Sequence, residues 1–388
     1  MRTSTIFKLT HDSINFEAVK QKRAIVSVTN DLYTDQRVHK VCTFLKNKGF
    51  DVLLVGRKLK NSQPITREYQ THRIPLIFTK GALFYAFYNL RLFLYLSFKK
   101  ADVLVSNDLD TLLANYLASK TKRNCKLVYD THEYFTEVPE LTSRPRVKRI
   151  WESIEAWIFP KLSYIYTVNE SIANKYRKKY SVNIKVVRNI SLRWKPHNLK
   201  TKEALGLPTD KKIIILQGAG INIDRGAEEA VSAMHFIDNA VLLFVGSGDI
   251  IEELKKQVQQ QNLKEKVQFI GRVPYSEMMN YTYYAHVGLT LDKATNLNYK
   301  FSLPNKVFDY IHTTTPIVAS NMIEVANIVN TYKVGKVIQN HDPKHIAAKI
   351  NAILCDDSEA KRLQENCRNT AKILNWESEC KTLESIYT

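Results

Sequence analysis

The stretch Lys212-Ile213-Ile214-Ile215-Leu216-Gln217-Gly218-Ala219-Gly220-Ile221-Asn222-Ile223-Asp224-Arg225-Gly226 decides how this chain folds. Lys212–Gln217 is an apolar, β-branched run and reads as a strand; the residues from about Arg225 to His235 read as a helix. Between them lies a turn of small residues. Strand, glycine turn and helix in that order are the unit of a parallel sheet covered by helices. Small residues in such a turn also let the backbone come close to a ligand, and Arg225 near a helix start adds a bidentate cation to the N–H donors. A merely tight turn would look the same, so both readings stand at this point.

The same rhythm continues outward. Strands are expected at 241–245, 267–270, 287–290 and 316–319, with helices at about 250–260, 305–311, 344–354 and 359–373. Towards the N-terminus, strands are expected at 24–28, 52–55, 103–106, 126–129, 164–168 and 184–187. Helices alternate with them at 36–48, 83–98, 111–120, 146–159 and 170–180. Each half has strands enough for its own sheet. The fold class is therefore α/β, with two doubly wound Rossmann-like domains facing across a cleft. The polar, aperiodic stretch 191–208, with Pro196 and Pro208, reads as the linker. The expected division is an N-terminal extension over 1–23, a first domain over 24–195 and a second over 205–374, closed by 375–388. Ligands of such sheets bind outside the carboxyl ends of the strands, which puts the site in the cleft.

Composition narrows the function classes. The 388 residues carry a formal charge of +19. Residues 1–200 hold 36 Lys+Arg against 16 Asp+Glu, whereas residues 201–388 hold 21 against 22, so the excess belongs entirely to the first half. An anionic partner is expected there. Collagen-like and disordered classes are excluded, because the chain has only 12 Gly and 11 Pro and is 10% aromatic. Five scattered cysteines without metal-ligand spacing argue against a disulfide framework or a zinc site, and favour a reducing, cytoplasmic compartment. The polar N-terminus reads as neither secretory signal nor membrane anchor.

Two further stretches of the second half carry candidate chemistry. Phe244-Val245-Gly246-Ser247-Gly248-Asp249 again places glycines after a strand, with Asp249 as an expected helix N-cap. In Tyr299-Lys300-Phe301-Ser302-Leu303-Pro304-Asn305-Lys306-Val307-Phe308-Asp309, Pro304 suits a first helical turn. Lys306 would sit in that turn, where a cation opposes the helix dipole and wants an anion nearby. Asp309 follows three residues later on the same face. A cation for phosphate and a carboxylate for ribose, one turn apart, suit a nucleotide diphosphate; a solvated Lys–Asp pair is the plainer reading.

In the first half, Asp35 and Arg37 follow the first strand, Asn107 and Asp108 close the third, and His132 and Glu133 follow the fourth. All are expected on the cleft at the carboxyl ends of their strands, although Asp35 could simply cap a helix. His132 is the side chain suited to hydrogen-bond a reacting hydroxyl near neutral pH. Leu83–Phe98 is aromatic-rich and flanked by lysines; it reads either as a core helix or as an interfacial one beside anionic headgroups.

Together these motifs resemble a known family. Ser302 through Tyr310 with Thr315-Pro316-Ile317-Val318 is similar to the "PxK-x-x-E-Y…G-x-P-V" signature of GT-B fold glycosyltransferases of family 4, the glycosyl transferases group 1. Gln217-Gly218 with Arg225-Gly226, Val241–Gly248, Val267–Pro274 and Tyr129-Asp130-Thr131-His132-Glu133 resemble that family's other conserved segments, so the resemblance spans roughly 24–388. It implies sugar transfer with retention from a nucleotide-diphosphate sugar, UDP- or GDP-linked, to a glycan or lipid-linked acceptor in cell-surface polysaccharide or glycoconjugate synthesis.

By the same resemblance Arg225 and Lys306 would hold the diphosphate and act in catalysis together with His132. Gly218, Gly220, Gly246, Gly248, Tyr299, Ser302 and Asn305 would line the donor site, Asp309 would hold the ribose, and Asp35, Arg37, Asn107, Asp108, His132 and Glu133 would lie on the acceptor side. Residues 375–388 would form a helix returning to the first domain. No cofactor and no catalytic metal are implied beyond the donor substrate, and no nucleic acid. The partners are the nucleotide sugar, the acceptor and, through the basic domain, an anionic membrane surface at the inner face of the cell membrane. The sequence departs from the family at Phe301, where a Glu is usual, and at Thr315, where a Gly is usual. Phe301 keeps open a non-catalytic GT-B protein that binds a sugar nucleotide or a partner enzyme. A nucleotide-sugar 2-epimerase shares the two-domain plan, but its His/Glu/Asp constellation is not evident.

Overall fold

The computed structural model describes residues 21–33 and 35–388; the extension expected over 1–23 lies outside the described residues up to residue 20. Two parallel sheets organise the chain. The first domain runs β1 (Arg23–Ser27), α1 (Gln36–Asn47), β2 (Asp51–Arg57), β3 (Gln70–Ile74), α2 (Gly81–Phe98), β4 (Val103–Asn107), α3 (Leu109–Lys120), β5 (Lys126–Thr131), α4 (Pro139–Thr142), α5 (Pro145–Ile158), β6 (Tyr164–Thr167), α6 (Glu170–Tyr180) and β7 (Ile184–Val186). The second runs β8 (Lys212–Gly218), α7 (Ala227–Ala233), β9 (Ala240–Gly246), α8 (Ile251–Gln260), β10 (Val267–Gly271), α9 (Tyr275–Tyr284), β11 (Val287–Thr290), α10 (Leu297–Lys300), α11 (Lys306–His312), β12 (Ile317–Ser320), α12 (Ile323–Tyr332), β13 (Gly335–Ile338), α13 (Pro343–Leu354) and α14 (Asp357–Ala371). A last helix, α15 (Trp376–Tyr387), ends the chain.

Strand order is β3-β2-β1-β4-β5-β6-β7 in the first sheet and β10-β9-β8-β11-β12-β13 in the second. Order reverses between β1 and β4 and again between β8 and β11. At such switch points the helices on either side diverge, which leaves a crevice at the strands' carboxyl ends.

The strands form where apolar runs can be covered on both faces. Ile213 and Ile215 point into one core cluster of the second domain, Ile214 and Leu216 into the other. Several helices start on a side-chain cap: Asp35 before α1, Asn169 before α6, Asp356 before α14 and Asn375 before α15 each accept a backbone N–H from the first turn. The helix α15 packs on the first domain, where Trp376, Leu383, Ile386 and Tyr387 join the core around Val38 and Phe44.

Six elements lie outside the sequence reading, two of them the four-residue helices α4 and α10. The strand β3 is a polar edge strand, and β13 is short and partly exposed, so neither shows an apolar run. The helices α9 and α12 are rich in aromatic and β-branched residues, whose intrinsic preference runs against a helix. Tertiary packing overrides that preference: Met279 and Tyr281 of α9, and Val325, Ile328 and Val329 of α12, are buried. Pro304 also falls differently from expectation. Helix α11 begins at Lys306 with Asn305 as its cap residue, so the proline lies before the helix.

Candidate functional site

The crevice of the second domain is built from two glycine loops laid across each other. Gly246 and Gly248, after β9, leave no room for a side chain: a Cβ at 246 would collide with the Gly218 carbonyl, and one at 248 with the Ile221 carbonyl. Glycine is therefore required at both positions by loop-on-loop packing. Gly218 and Gly220 have open space beside them, with nothing closer than 3.9 Å to an added Cβ. That is where a ligand has room to approach the backbone. The two loops are also tied reciprocally, since Asp249 N–H donates to Asn222 Oδ1 and Ile223 N–H to Asp249 Oδ1, each at 3.1 Å. Asp249 thus clamps the loops and does not cap the helix; α8 starts from Ile250, which has no side-chain cap.

Arg225 pairs with a residue the sequence reading missed. Arg225 Nη1 lies 2.6 Å from Oδ1 of Asp292, which is buried just beyond β11 and also accepts from the Thr290 hydroxyl at 3.2 Å. Burial alone would raise the Asp292 carboxyl, but Lys306 and Arg225 outweigh it and hold the pKa below the usual carboxylate range. Tyr299 backs the guanidinium, with its ring centroid 4.4 Å from Arg225 Cζ. Two buried polar atoms here have no partner among the described residues, Arg225 Nε and Ser302 Oγ. The sequence signal for Asp292 was its place as a carboxylate two residues past a strand end at the switch point.

Asp309 points elsewhere. It shares no bond with Lys306 and instead lies buried beside the linker, accepting from Tyr275 Oη at 2.7 Å, Ser191 Oγ at 3.2 Å and Gln217 Nε2 at 3.2 Å. Burial raises its pKa to about 6, with the three donors acting against it. Lys40 reaches the same hinge from α1, donating to Asn189 Oδ1 at 2.8 Å and to the Ile190 carbonyl.

The crevice of the first domain holds a buried charge network. Arg37 is enclosed, with Nη2 2.7 Å from Asp130 and Nη1 donating to the Val187 carbonyl at 2.8 Å. His132 lies among three acceptors: Nε2 is 3.1 Å from both Asp130 Oδ2 and Asn107 Oδ1, and Nδ1 is 3.4 Å from Asp108 Oδ2. Its backbone N–H also donates to Asp108 Oδ1 at 2.7 Å. Burial opposes a charge on the imidazole, yet Asp108 and Asp130 overcome it and raise its pKa to about 9. Burial likewise opposes the Asp130 carboxylate, which Arg37 and His132 hold down to about 2. His132 is therefore a cation and hydrogen-bond donor at neutral pH, and it has no lone pair with which to act as a base. Asp110, in contact with Thr29, is pushed up to about 7 by burial and by Asp108. Asp35 serves as the cap of α1 through Val38 N–H at 3.0 Å.

The crevices face each other through direct contacts. Glu133 Oε2 accepts from Asn298 Nδ2 at 3.2 Å, and Ser171 N–H donates to Glu324 Oε1 at 2.7 Å. Phe301 is 5% exposed and inserts among first-domain residues that include Leu109, Tyr129 and Ile172. Its carbonyl accepts from Asn169 Nδ2 at 2.7 Å.

Comparison with known proteins places this architecture. Residues 35–190 match the model of Glycosyltransferase Family 4, and residues 198–370 match that of Glycosyl transferases group 1. No curated protein matches the sequence. Among solved structures, sucrose-phosphate synthase from Thermosynechococcus elongatus is similar over 95% of this chain and 98% of its own, at 20% identity and a TM-score of 0.76. HepE from Anabaena in complex with UDP is similar over 94% and 100%, at 14% identity and a TM-score of 0.70. WaaG, a glycosyltransferase involved in lipopolysaccharide biosynthesis, is similar over 94% and 99%, at 12% identity and a TM-score of 0.66. Each half of the chain is thus a glycosyltransferase domain, and the two together have the GT-B fold.

Proposed function

We propose that this chain of two glycosyltransferase domains transfers a sugar, with retention, from a nucleotide-diphosphate sugar to a hydroxyl of a glycan or lipid-linked acceptor in cell-surface glycan synthesis. The observation that carries the reading is the Arg225–Asp292 ion pair at the β8/β11 switch point, with the charge of Lys306 also acting on that carboxyl. Two cations and an unpartnered guanidinium N–H at a strand-end crevice suit a diphosphate. As the sugar leaves, negative charge grows on that diphosphate, and fixed cations stabilise it most there. Front-face attack by the acceptor hydroxyl, its proton passing to the departing phosphate, needs no protein base. That agrees with His132 being already protonated. In this reading His132 donates a hydrogen bond to the sugar or the acceptor, and Glu133 and Asn298 line the path between the domains. Asp309 would meet a ribose only by giving up Tyr275 or Ser191.

The basic first domain supports an anionic membrane surface at the inner face of the cell membrane as the place where a lipid-linked acceptor is met. UDP is the first nucleotide to test, because HepE was solved with UDP and with UDP-glucose. The test is calorimetric titration with UDP, GDP and their sugar conjugates, with and without magnesium. Binding of one base, lost in Lys306→Ala and in Arg225→Ala, is the expected result. Unchanged affinity in both variants overturns the donor assignment and leaves Phe301 as the mark of a non-catalytic site.

A further inference from the structure

Helix α2 is apolar on two opposite faces, and only one of them is used by the fold. Phe84, Tyr88, Leu92 and Leu96 are buried against the first sheet. At 100° per residue, Leu83, Leu90, Leu94 and Phe98 fall together on the far side of the helix. They are 62%, 54%, 46% and 86% exposed. Ile77, just ahead of the helix, is 77% exposed, and Trp157 on α5 of the same domain is 46% exposed. The stripe runs the length of an 18-residue helix, about 27 Å. Single exposed apolar residues are ordinary; an aligned row of this length marks a surface that is covered in use.

The charges around the stripe identify what covers it. Between Glu68 and Asp102 the sequence has no carboxylate, while Arg73, Lys80, Arg91, Lys99 and Lys100 all lie in that interval. At the carboxyl end of α2, Lys122 Nζ donates to the carbonyls of Ser97 and Lys99. Beyond it opens a pocket of about 380 Å³ lined by Lys120, Lys122, Lys126 and Lys161. Three of these ammonium groups rest on aromatic faces, Lys120 on Tyr116, Lys126 on Tyr164 and Lys161 on Trp157, so no carboxylate neutralises them there. Apolar side chains for the acyl boundary, bordered by cations and free of acids, complement the surface of an anionic bilayer. No helix among the described residues is long and apolar enough to cross a membrane, so α2 would lie on the surface.

We propose that the outer face of α2 is the membrane-docking surface of this protein, with Leu83, Leu90, Leu94 and Phe98 entering the interfacial layer of an anionic bilayer and the lysines at its carboxyl end holding phosphate headgroups. The inference deepens the membrane reading above and rests on it only for the use of a lipid-linked acceptor. In this arrangement the amino end of α2, whose Tyr88 donates to the Val28 carbonyl beyond β1, lies towards the catalytic crevice.

The test is sedimentation of the full chain with vesicles of phosphatidylcholine alone and of phosphatidylcholine with phosphatidylglycerol, with UDP and GDP titration of the same preparations. Wild type should bind only the anionic vesicles. Leu90→Glu with Leu94→Glu should weaken that binding by about a hundredfold or more, since two leucines leave the bilayer. Lys99→Glu with Lys100→Glu should weaken it and flatten its salt dependence. Melting temperature and UDP affinity should stay at wild-type values in both double variants. Wild-type binding that survives Leu90→Glu with Leu94→Glu, or no binding to anionic vesicles, overturns the docking surface. So does a concentration-dependent dimer that the leucine variant abolishes, because the stripe would then belong to a second copy. Absence of binding to both UDP and GDP by wild type would strike the glycosyl-transfer reading instead and leave the vesicle result standing by itself.

Discussion

The side chain of Asn169, at the start of α6 in the first domain, donates to the carbonyl of Phe301 in the second at 2.7 Å, while its Oδ1 caps α6 through Ile172 N–H at 2.9 Å. One amide both starts a helix and fastens the opposite domain. The Phe301 ring completes the contact, buried in the first domain with the Lys175 ammonium 5.6 Å from its centroid. At the position where the family usually carries a carboxylate, this chain has an apolar peg that draws the cleft walls together.

Removing the peg should therefore uncouple the domains. Phe301→Ala deletes a buried aromatic ring at a cost on the order of 3 kcal/mol, and that loss falls on the interface between the domains. Calorimetric unfolding should separate into two transitions, and small-angle scattering should report a larger radius of gyration. A single transition at the wild-type temperature would show that Phe301 contributes nothing to closure.

His132 provides a pH test whose direction follows from its raised pKa. An imidazole at about 9 in the fold and near its ordinary value when unfolded stabilises fully below pH 6.5. That contribution is lost as pH rises through about 9. His132→Asn should thus melt below wild type at pH 6, and the gap should close by pH 10. A gap that widens with rising pH would mean the histidine is neutral in the fold.

For Asp309 the sign has the opposite consequence. Burial raises this carboxyl to about 6, so its ionised form is disfavoured in the fold. The group costs stability progressively as pH climbs from about 4 to above 6. Asp309→Asn should gain in melting temperature relative to wild type between pH 4 and pH 8. If Asp309 also meets the ribose, the same variant should bind UDP more weakly, a trade of stability against function.

Asp292 sets the resting state of the diphosphate site. Its carboxylate neutralises Arg225 and Lys306 before any donor arrives, and a bound diphosphate would feel its repulsion. Asp292→Asn keeps the shape and removes the charge, so UDP affinity should rise severalfold, most clearly at low ionic strength. A fall in affinity would show that Asp292 acts chiefly by holding Arg225 in place.

The sequence by itself determined the two parallel-sheet domains, the register of glycine turns after β8 and β9, and the placing of site candidates at strand ends. These are properties of local pattern: apolar run, small turn and amphipathic helix repeat within tens of residues, and each can be read without knowing its neighbours. Tertiary structure alone decided how those candidates are used. Asp309 and Lys306, one turn apart in sequence, diverge to the hinge and to Asp292. His132 is a cation because Asp108 arrives beside it from the end of β4, to join Asp130 at the end of its own strand β5. Gly246 and Gly248 serve loop packing, and Phe301 serves the opposite domain. The two faces of α2 read alike until the sheet covers one of them. Charge state, burial and partner choice depend on segments brought together from distant parts of the chain, and no local spacing encodes that meeting.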